Sequence, residues 1–93
     1  MKERTFDSVW DAIEPDVGVA QNLKLRSALM MKIAEYVEQS GLTQSEAARC
    51  LGTTQPRLND IIKGRIEKCT VDRLVNMLSE AGFQVDLSVR PAA

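Results

Sequence analysis

Histidine is absent from this sequence of 93 residues, and cysteine occurs only twice. Without histidine the chain lacks the usual general base at neutral pH and the commonest metal ligand. Two cysteines alone cannot complete a four-ligand zinc site unless carboxylates or a second chain contribute. The sequence also lacks a glycine-rich phosphate loop and a nucleophile beside a base. We therefore expect no enzymatic activity, no metal and no cofactor.

Long hydrophobic runs are missing as well. The longest uninterrupted apolar run is Ala28–Met31, four residues, whereas a membrane-spanning helix needs about 20. The first residues carry acidic side chains where a secretory signal has its apolar core. We therefore expect a cytoplasmic protein without a membrane partner, in which Cys50 and Cys69 are reduced, small, buried or half-buried side chains.

Neither sign of charge dominates, with 12 basic and 13 acidic side chains, but the charge is unevenly distributed. Residues 1–16 form an acidic arm with five acidic against two basic side chains. Phe6, Trp10 and Ile13 follow helical spacing in this arm, and Pro15 limits any helix there. The arm either packs on its own domain or docks on a partner through Trp10.

Helical periodicity and capping residues predict an all-α domain over residues 17–82. Apolar residues three and four apart predict a long helix that begins at Val17 and ends at Gly41. Three further helices are each preceded by a capping threonine and followed by a glycine. They are predicted over residues 44–51, 55–63 and 71–81.

The hydrophobic period changes to two after Gly82. The alternation predicts a strand over residues 83–90, ended by Pro91, with its apolar face formed by Phe83, Val85, Leu87 and Val89. The domain offers no second strand, so we expect this strand to pair antiparallel with its own copy in a two-fold dimer. Pairing with residues 1–9, or with the sheet edge of another protein, is the alternative.

Residues 42–64 have the pattern of a helix-turn-helix unit, in which two short helices cross closely. Ala47 is small where the helices approach each other, and Leu51 and Leu58 fill the crossing. Gly52 provides the turn, while Thr43 and Glu46 have the spacing of a capping box.

The second helix of such a unit enters the DNA major groove with its first turn towards the base edges. Glutamine and asparagine match the donor and acceptor of adenine, and arginine matches the two acceptors of guanine. Gln44 suits a phosphate oxygen, as do the basic residues after the second helix, including Lys68. Asp60 would have to avoid phosphates or accept from a cytosine amino group. The predicted DNA contacts are Gln44, Thr54, Gln55, Pro56, Arg57, Asn59, Lys63 and Arg65.

The segment GLTQSEAARCLGTTQPRLNDIIKG resembles the phage-repressor-like (Xre, Cro/C1-type) helix-turn-helix family. Together with NLKLRS, TVDRLVNMLSEAG, the closing VRP and the arm segment FDSVWDAI, it resembles the HigA-like antitoxins. The resemblance implies a lambda-repressor-like domain of four to five helices that binds an inverted repeat as a homodimer, often at its own promoter. Pro56 and the pair Asn59-Asp60 depart from the family pattern. The resemblance implies that the following residues face DNA: Gln44, Thr54, Gln55, Arg57, Asn59 and Lys63.

Two hypotheses of function follow. The first is a sequence-specific transcriptional repressor that binds double-stranded DNA as a homodimer. In the antitoxin branch, the resemblance implies that it also neutralises a ribonuclease toxin and regulates its own promoter. The second is a protein-binding module that neutralises or scaffolds a partner protein without specific DNA binding.

Overall fold

A computed structural model describes residues 13–14 and 16–91. Within residues 16–91 the chain forms four α-helices and no strand, which confirms the predicted all-α class for this part. Most of the acidic arm, including Phe6 and Trp10, lies outside the described residues. The helices are α1 Val17–Ser40, α2 Gln44–Cys50, α3 Gln55–Ile62 and α4 Val71–Glu80, with a short 3-10 helix Ile66–Lys68 before α4.

The predicted caps are confirmed at the beginnings of α2, α3 and α4. The Thr43 hydroxyl accepts from the Glu46 N–H at 3.1 Å, and the Glu46 carboxylate accepts from the Thr43 N–H at 2.9 Å. Thr54 and Thr70 each accept from the backbone N–H three residues later, at 3.3 Å. These bonds supply partners for N–H groups that have none inside the helices.

Three helices end one residue earlier than the sequence predicts. Leu51, Lys63 and Ala81 are cap residues, since each leaves helical geometry while its N–H still donates four residues back. After α3 the chain reverses through Gly64, which has φ +74°, and the Arg65 N–H donates to the Asp60 carbonyl at 2.9 Å. This bond is typical of a helix that ends at a left-handed glycine.

The core lies where α1 crosses the other three helices. Ile33, Leu51, Leu58 and Leu74 are its largest fully buried side chains. Ala47 is also fully buried, which confirms the need for a small residue on α2. Leu58 and Ile61 occupy the inner face of α3, and helical periodicity predicts Ile62 there too, since it is four residues from Leu58. Ile62 is instead 39% exposed and lies at the rim of that face.

Arg26 has a structural role that the sequence pattern did not indicate. It lies outside the apolar stripe of α1, where periodicity predicts a solvated charge, but its guanidinium Nη1 donates to the carbonyls of Ile66 and Cys69, both at 3.2 Å. Its Nε donates to the Asn22 side chain at 2.7 Å. Arg26 therefore fastens the 3-10 helix, which follows α3, to α1.

The two cysteines differ in environment. Cys69 is buried as expected, and its thiol lies 3.5 Å from the Arg65 carbonyl, to which it donates. Desolvation by burial, followed by the charge of Asp60, raises the pKa of the Cys69 thiol. Cys50 is exposed, contrary to the prediction, because it lies in the last turn of α2 beyond the buried pair Ala47 and Ala48.

The C-terminal segment, residues 83–91, has no regular secondary structure in this single chain. Phe83 packs edge-on against Tyr36, with ring centroids 5.6 Å apart, whereas Leu87 and Val89 are each 85% exposed. A strand needs a neighbour for its hydrogen bonds, and a single chain provides none here. The predicted strand and its pairing across a dimer therefore stay predictions.

The capping box predicts a pH dependence of stability. The pKa of Glu46 is lowered, first by the hydrogen bond from the Thr43 N–H and then by the Thr43 hydroxyl. Its contribution to folding is thus complete above the unfolded-state pKa of about 4.3 and is lost as the pH falls through the lower folded-state pKa.

Glu46→Gln tests this expectation, since glutamine keeps a hydrogen-bond acceptor but does not titrate. From pH 6 to 7 the unfolding free energies of wild type and variant should differ by a constant amount. Near pH ~3.5 the wild type should lose stability relative to the variant. Urea unfolding at pH 7 and at pH ~3.5 measures this difference. The same difference at the two pH values would contradict a stabilising role of the Glu46 carboxylate in the capping box.

Candidate nucleic-acid interface

A glycine, Gly52, forms the turn between α2 and α3, and any other residue at this position would strain the backbone. Gly52 has φ +65°, and a Cβ at this position would lie 3.0 Å from Glu80 Cγ on α4. Two backbone bonds close the turn, from Gly52 to the Arg49 carbonyl at 3.1 Å and from Thr53 to the Ala48 carbonyl at 2.9 Å. The turn fixes the direction of α3 relative to α2.

The first turn of α3 projects into solvent. Leu58 and Ile61 are buried against the core, which leaves Gln55, Pro56 and Arg57 exposed. Pro56 lies in the first turn, where its missing N–H costs no helical hydrogen bond. Side chains with paired donors and acceptors therefore extend from a rigid, capped helix end, as reading of base edges requires.

Thr54 is both a cap and an exposed residue. Its hydroxyl oxygen accepts from the Arg57 N–H, which leaves the hydroxyl hydrogen free to donate to a phosphate oxygen. Its two predicted roles are therefore compatible.

Asp60, the one acidic residue on α3, has an internal partner. Its carboxylate accepts from the Arg65 guanidinium at 2.9 Å, and the Asp60 side chain is only 22% exposed. The negative charge that would repel DNA is thus paired with a cation from the loop after α3. Arg65, predicted to contact phosphate, keeps 46% of its side chain exposed while it holds this ion pair.

The remaining predicted contacts lie on the same unit. Gln44 is half-buried at the first position of α2, directly after its cap. Asn59 is half-buried on α3, and Lys63 is exposed at its C-terminal cap. Asn59 therefore offers less accessible surface to a base than the exposed residues of the first turn.

The structure adds Arg73, a residue that the sequence analysis did not select. Arg57, Lys68 and Arg73 line one narrow cleft between α3 and the beginning of α4, together with the paired Asp60. A basic residue in the first turn of a helix opposes the helix dipole, which favours acidic residues there. The unfavourable placement of Arg73 is visible in the sequence and is the signal that could have identified it as a candidate contact.

No three acidic or cysteine side chains among residues 13–14 and 16–91 are grouped to hold a metal ion. Within the same part of the chain, no helix combines the length and the apolar character needed to cross a bilayer.

The chain matches the model of a known protein family. This model, described as a helix-turn-helix domain, matches residues 14–90, which include helices α1 to α4 and nearly all of the C-terminal segment. No curated protein matches the chain significantly.

Proposed function

Because the chain belongs to this family of helix-turn-helix domains, we propose that it is a sequence-specific DNA-binding regulator that represses transcription as a homodimer. In this proposal α3 lies in the major groove, Gln55 and Arg57 contact base edges, and Asn59 contacts a base at the edge of the interface. Thr54 and Pro56 approach the sugar-phosphate backbone of the DNA beside these bases. Phosphates are bound by Gln44, Lys63 and Arg65.

The observation that carries this proposal is the exposed first turn of α3 on a rigid support. Gln55, Pro56 and Arg57 are exposed, while Leu58, one residue further, is fully buried. The Asp60–Arg65 ion pair removes the main electrostatic objection to placing this face against phosphates. The net charge of −1 is compatible with binding because a local basic patch, doubled by two-fold symmetry, acts at short range.

Selection of bound sequences from a random duplex pool at ~150 mM salt tests the proposal, because purely electrostatic binding is already weak at that concentration. We expect enrichment of an inverted repeat with half-sites about one helical turn, ~34 Å, apart. Absence of enrichment by a folded, dimeric protein would overturn DNA reading and favour the protein-binding module.

We further propose that the regulator belongs to the Xre-type branch and is the antitoxin of a toxin–antitoxin pair that regulates its own promoter. The similarity to HigA-like antitoxins in the segments quoted above supports this assignment. Two measurements test it: a search for the selected repeat upstream of its own gene, and co-purification with the product of the adjacent gene. If the neighbouring product is not toxic and does not bind, the antitoxin role is wrong while the DNA-binding role stands.

The cleft residue Arg73 leads to a separate prediction. Arg73 lines the same cleft as Arg57 and Lys68, but it belongs to α4 and not to the helix that we place in the major groove. We therefore expect it to contact phosphate. Arg73→Ala should weaken binding about equally for all sequences and lower the slope of log affinity against log salt by about 1 per contact. Titrations at three salt concentrations measure this slope.

Lys32→Ala is the matched control for Arg73→Ala. It removes one cation from α1, where Lys32 is 68% exposed and lies 3.9 Å from Glu35. An unchanged salt slope for Arg73→Ala, or an equal change for Lys32→Ala, would contradict a phosphate contact at Arg73.

A further inference from the structure

The C-terminal segment already has the side-chain alternation of a strand. The Gln84 amide donates to the Asp86 carboxylate at 3.1 Å, so these two side chains lie on the same side of the backbone. Residues two apart share a side in an extended chain but not in a helix. The other side carries the apolar residues, which are half exposed in the first half of the segment and almost fully exposed in the second: Phe83 47%, Val85 39%, Leu87 85% and Val89 85%.

A groove of about 540 Å³ lies beside the first half of this segment. Its apolar lining includes Leu29 and Tyr36 of α1, Leu78 of α4, and Phe83 and Val85. Phe83 packs on Tyr36, and Gln84, Val85 and Asp86 also line the groove, so the first half of the segment lies along it. The groove ends before Leu87, which together with Val89 extends beyond it.

We propose that residues 83–91 pair antiparallel with the same residues of a second copy, with the two-fold axis passing at Leu87. The inference rests on the homodimer of the proposed function and specifies its interface. A symmetric antiparallel pair that keeps both apolar sides together has three central registers, in which Val85, Asp86 or Leu87 lies opposite itself.

Charge and length distinguish the three registers. A two-fold axis at Asp86 places two carboxylates directly opposite each other, which is destabilising. An axis at Val85 pairs only residues 83–87, because the chain before Phe83 is fixed by the end of α4. An axis at Leu87 pairs residues 84–90 completely and brings Phe83 opposite the partner's Pro91, which has no N–H to donate.

The register at Leu87 also gives complementary polar pairs. Asp86 lies opposite the partner's Ser88, and Gln84 opposite the partner's Arg90. Arg90 is then the diagonal neighbour of the partner's Asp86, so opposite charges are within reach on the solvent side.

The same register also places an apolar residue of the partner beside the groove. It places the partner's Val89 opposite Val85, on the side that faces Tyr36 and Phe83. Each copy thus inserts Val89 beside the groove of the other, while the two Leu87 side chains contact each other on the axis. The most exposed apolar residues of the segment are all covered in the dimer, and the occupant of the groove is a second copy of this chain.

Cysteine cross-linking measures the register directly. Val85→Cys, Asp86→Cys and Leu87→Cys are each made in a Cys50→Ser background, since Cys50 is the exposed thiol and Cys69 is buried. A residue on the axis lies about 4.5–5.5 Å from its own copy, Cα to Cα, within the range of a disulfide, about 4.4–6.8 Å. One residue off the axis, the separation is roughly 8.5 Å, from about 3.4 Å per residue along the strand.

We expect Leu87→Cys to form a covalent dimer rapidly under mild oxidation, at least ~10-fold faster than the other two variants. Faster cross-linking at residue 85 or 86 would overturn this register while leaving the dimer intact. A monomer by analytical ultracentrifugation, with no selective cross-link, would overturn both the register and the proposed dimer. Cross-linking at Leu87→Cys without enrichment of any DNA sequence would support the interface and overturn the DNA-binding function.

Discussion

Leu51→Ala is expected to lower the free energy of unfolding by about 2–5 kcal/mol, the largest effect among the substitutions considered. Leu51 is fully buried and lies at the junction of α2 with the helix-turn-helix turn, in the cluster that also contains Ile33, Leu58 and Met77. Truncation removes the transfer free energy of the side chain and leaves a cavity that two short helices cannot close without moving. Thermal unfolding should shift by roughly 10–30 °C, since ~1 kcal/mol moves the midpoint by ~4–8 °C in a domain of this size.

Leu25→Ala is the matched control, because it makes the same change on α1 where the side chain is 48% exposed. We expect it to cost less than about 1 kcal/mol. Urea unfolding of both variants, monitored by circular dichroism, gives the comparison. Equal costs for the two substitutions would mean that Leu51 does not fill the crossing of α2 and α3.

Arg57→Ala is expected to weaken binding to the selected repeat by about 1–3 kcal/mol per half-site, or roughly 5- to 150-fold, and to relax the preference at one base pair. Arg57 is exposed in the first turn of α3, and its backbone N–H is fixed by the Thr54 cap. Its guanidinium is thus presented from a rigid position, as bidentate contact with guanine requires. Affinity for the repeat and for variants at each position measures both effects.

Arg57→Lys separates base reading from charge. Lysine keeps the positive charge but not the planar pair of donors, so we expect it to retain non-specific affinity and lose most of the base preference. Lys32→Ala, which removes a cation from α1 at the groove beside the C-terminal segment, should leave the base preference unchanged. If Arg57→Ala binds the repeat as tightly as wild type, Arg57 has no part in recognition.

The local features of the helix-turn-helix unit could be predicted because each depends on a few neighbouring residues. Thr43 and Glu46 satisfy each other's backbone across three residues. Gly52 takes a left-handed conformation that side chains disfavour. The burial of Ala47, Leu51 and Leu58 follows from helical periodicity once the unit is recognised.

Contacts between distant residues could not be predicted in this way. Arg26 binds carbonyls 40 and 43 positions away, and in the sequence it is indistinguishable from the solvated charges of α1. Arg73 joins Lys68 and Arg57 only because α4 packs beside α3. Asp60, which seemed to oppose DNA binding, acquires a partner because the chain reverses at Gly64 and returns Arg65 towards it.

The sequence by itself thus determined the class of the domain, the order of its helices and the residues that begin and end them, because propensity, capping and periodicity act over less than two turns of helix. Only the tertiary structure decided which charges are available at the surface of α3, which thiol is exposed, and that Phe83 packs on Tyr36 beside a groove at α1. The physical reason is that burial and ion pairing depend on how the helices pack against one another, and helix periodicity specifies which face is apolar but not what lies against it.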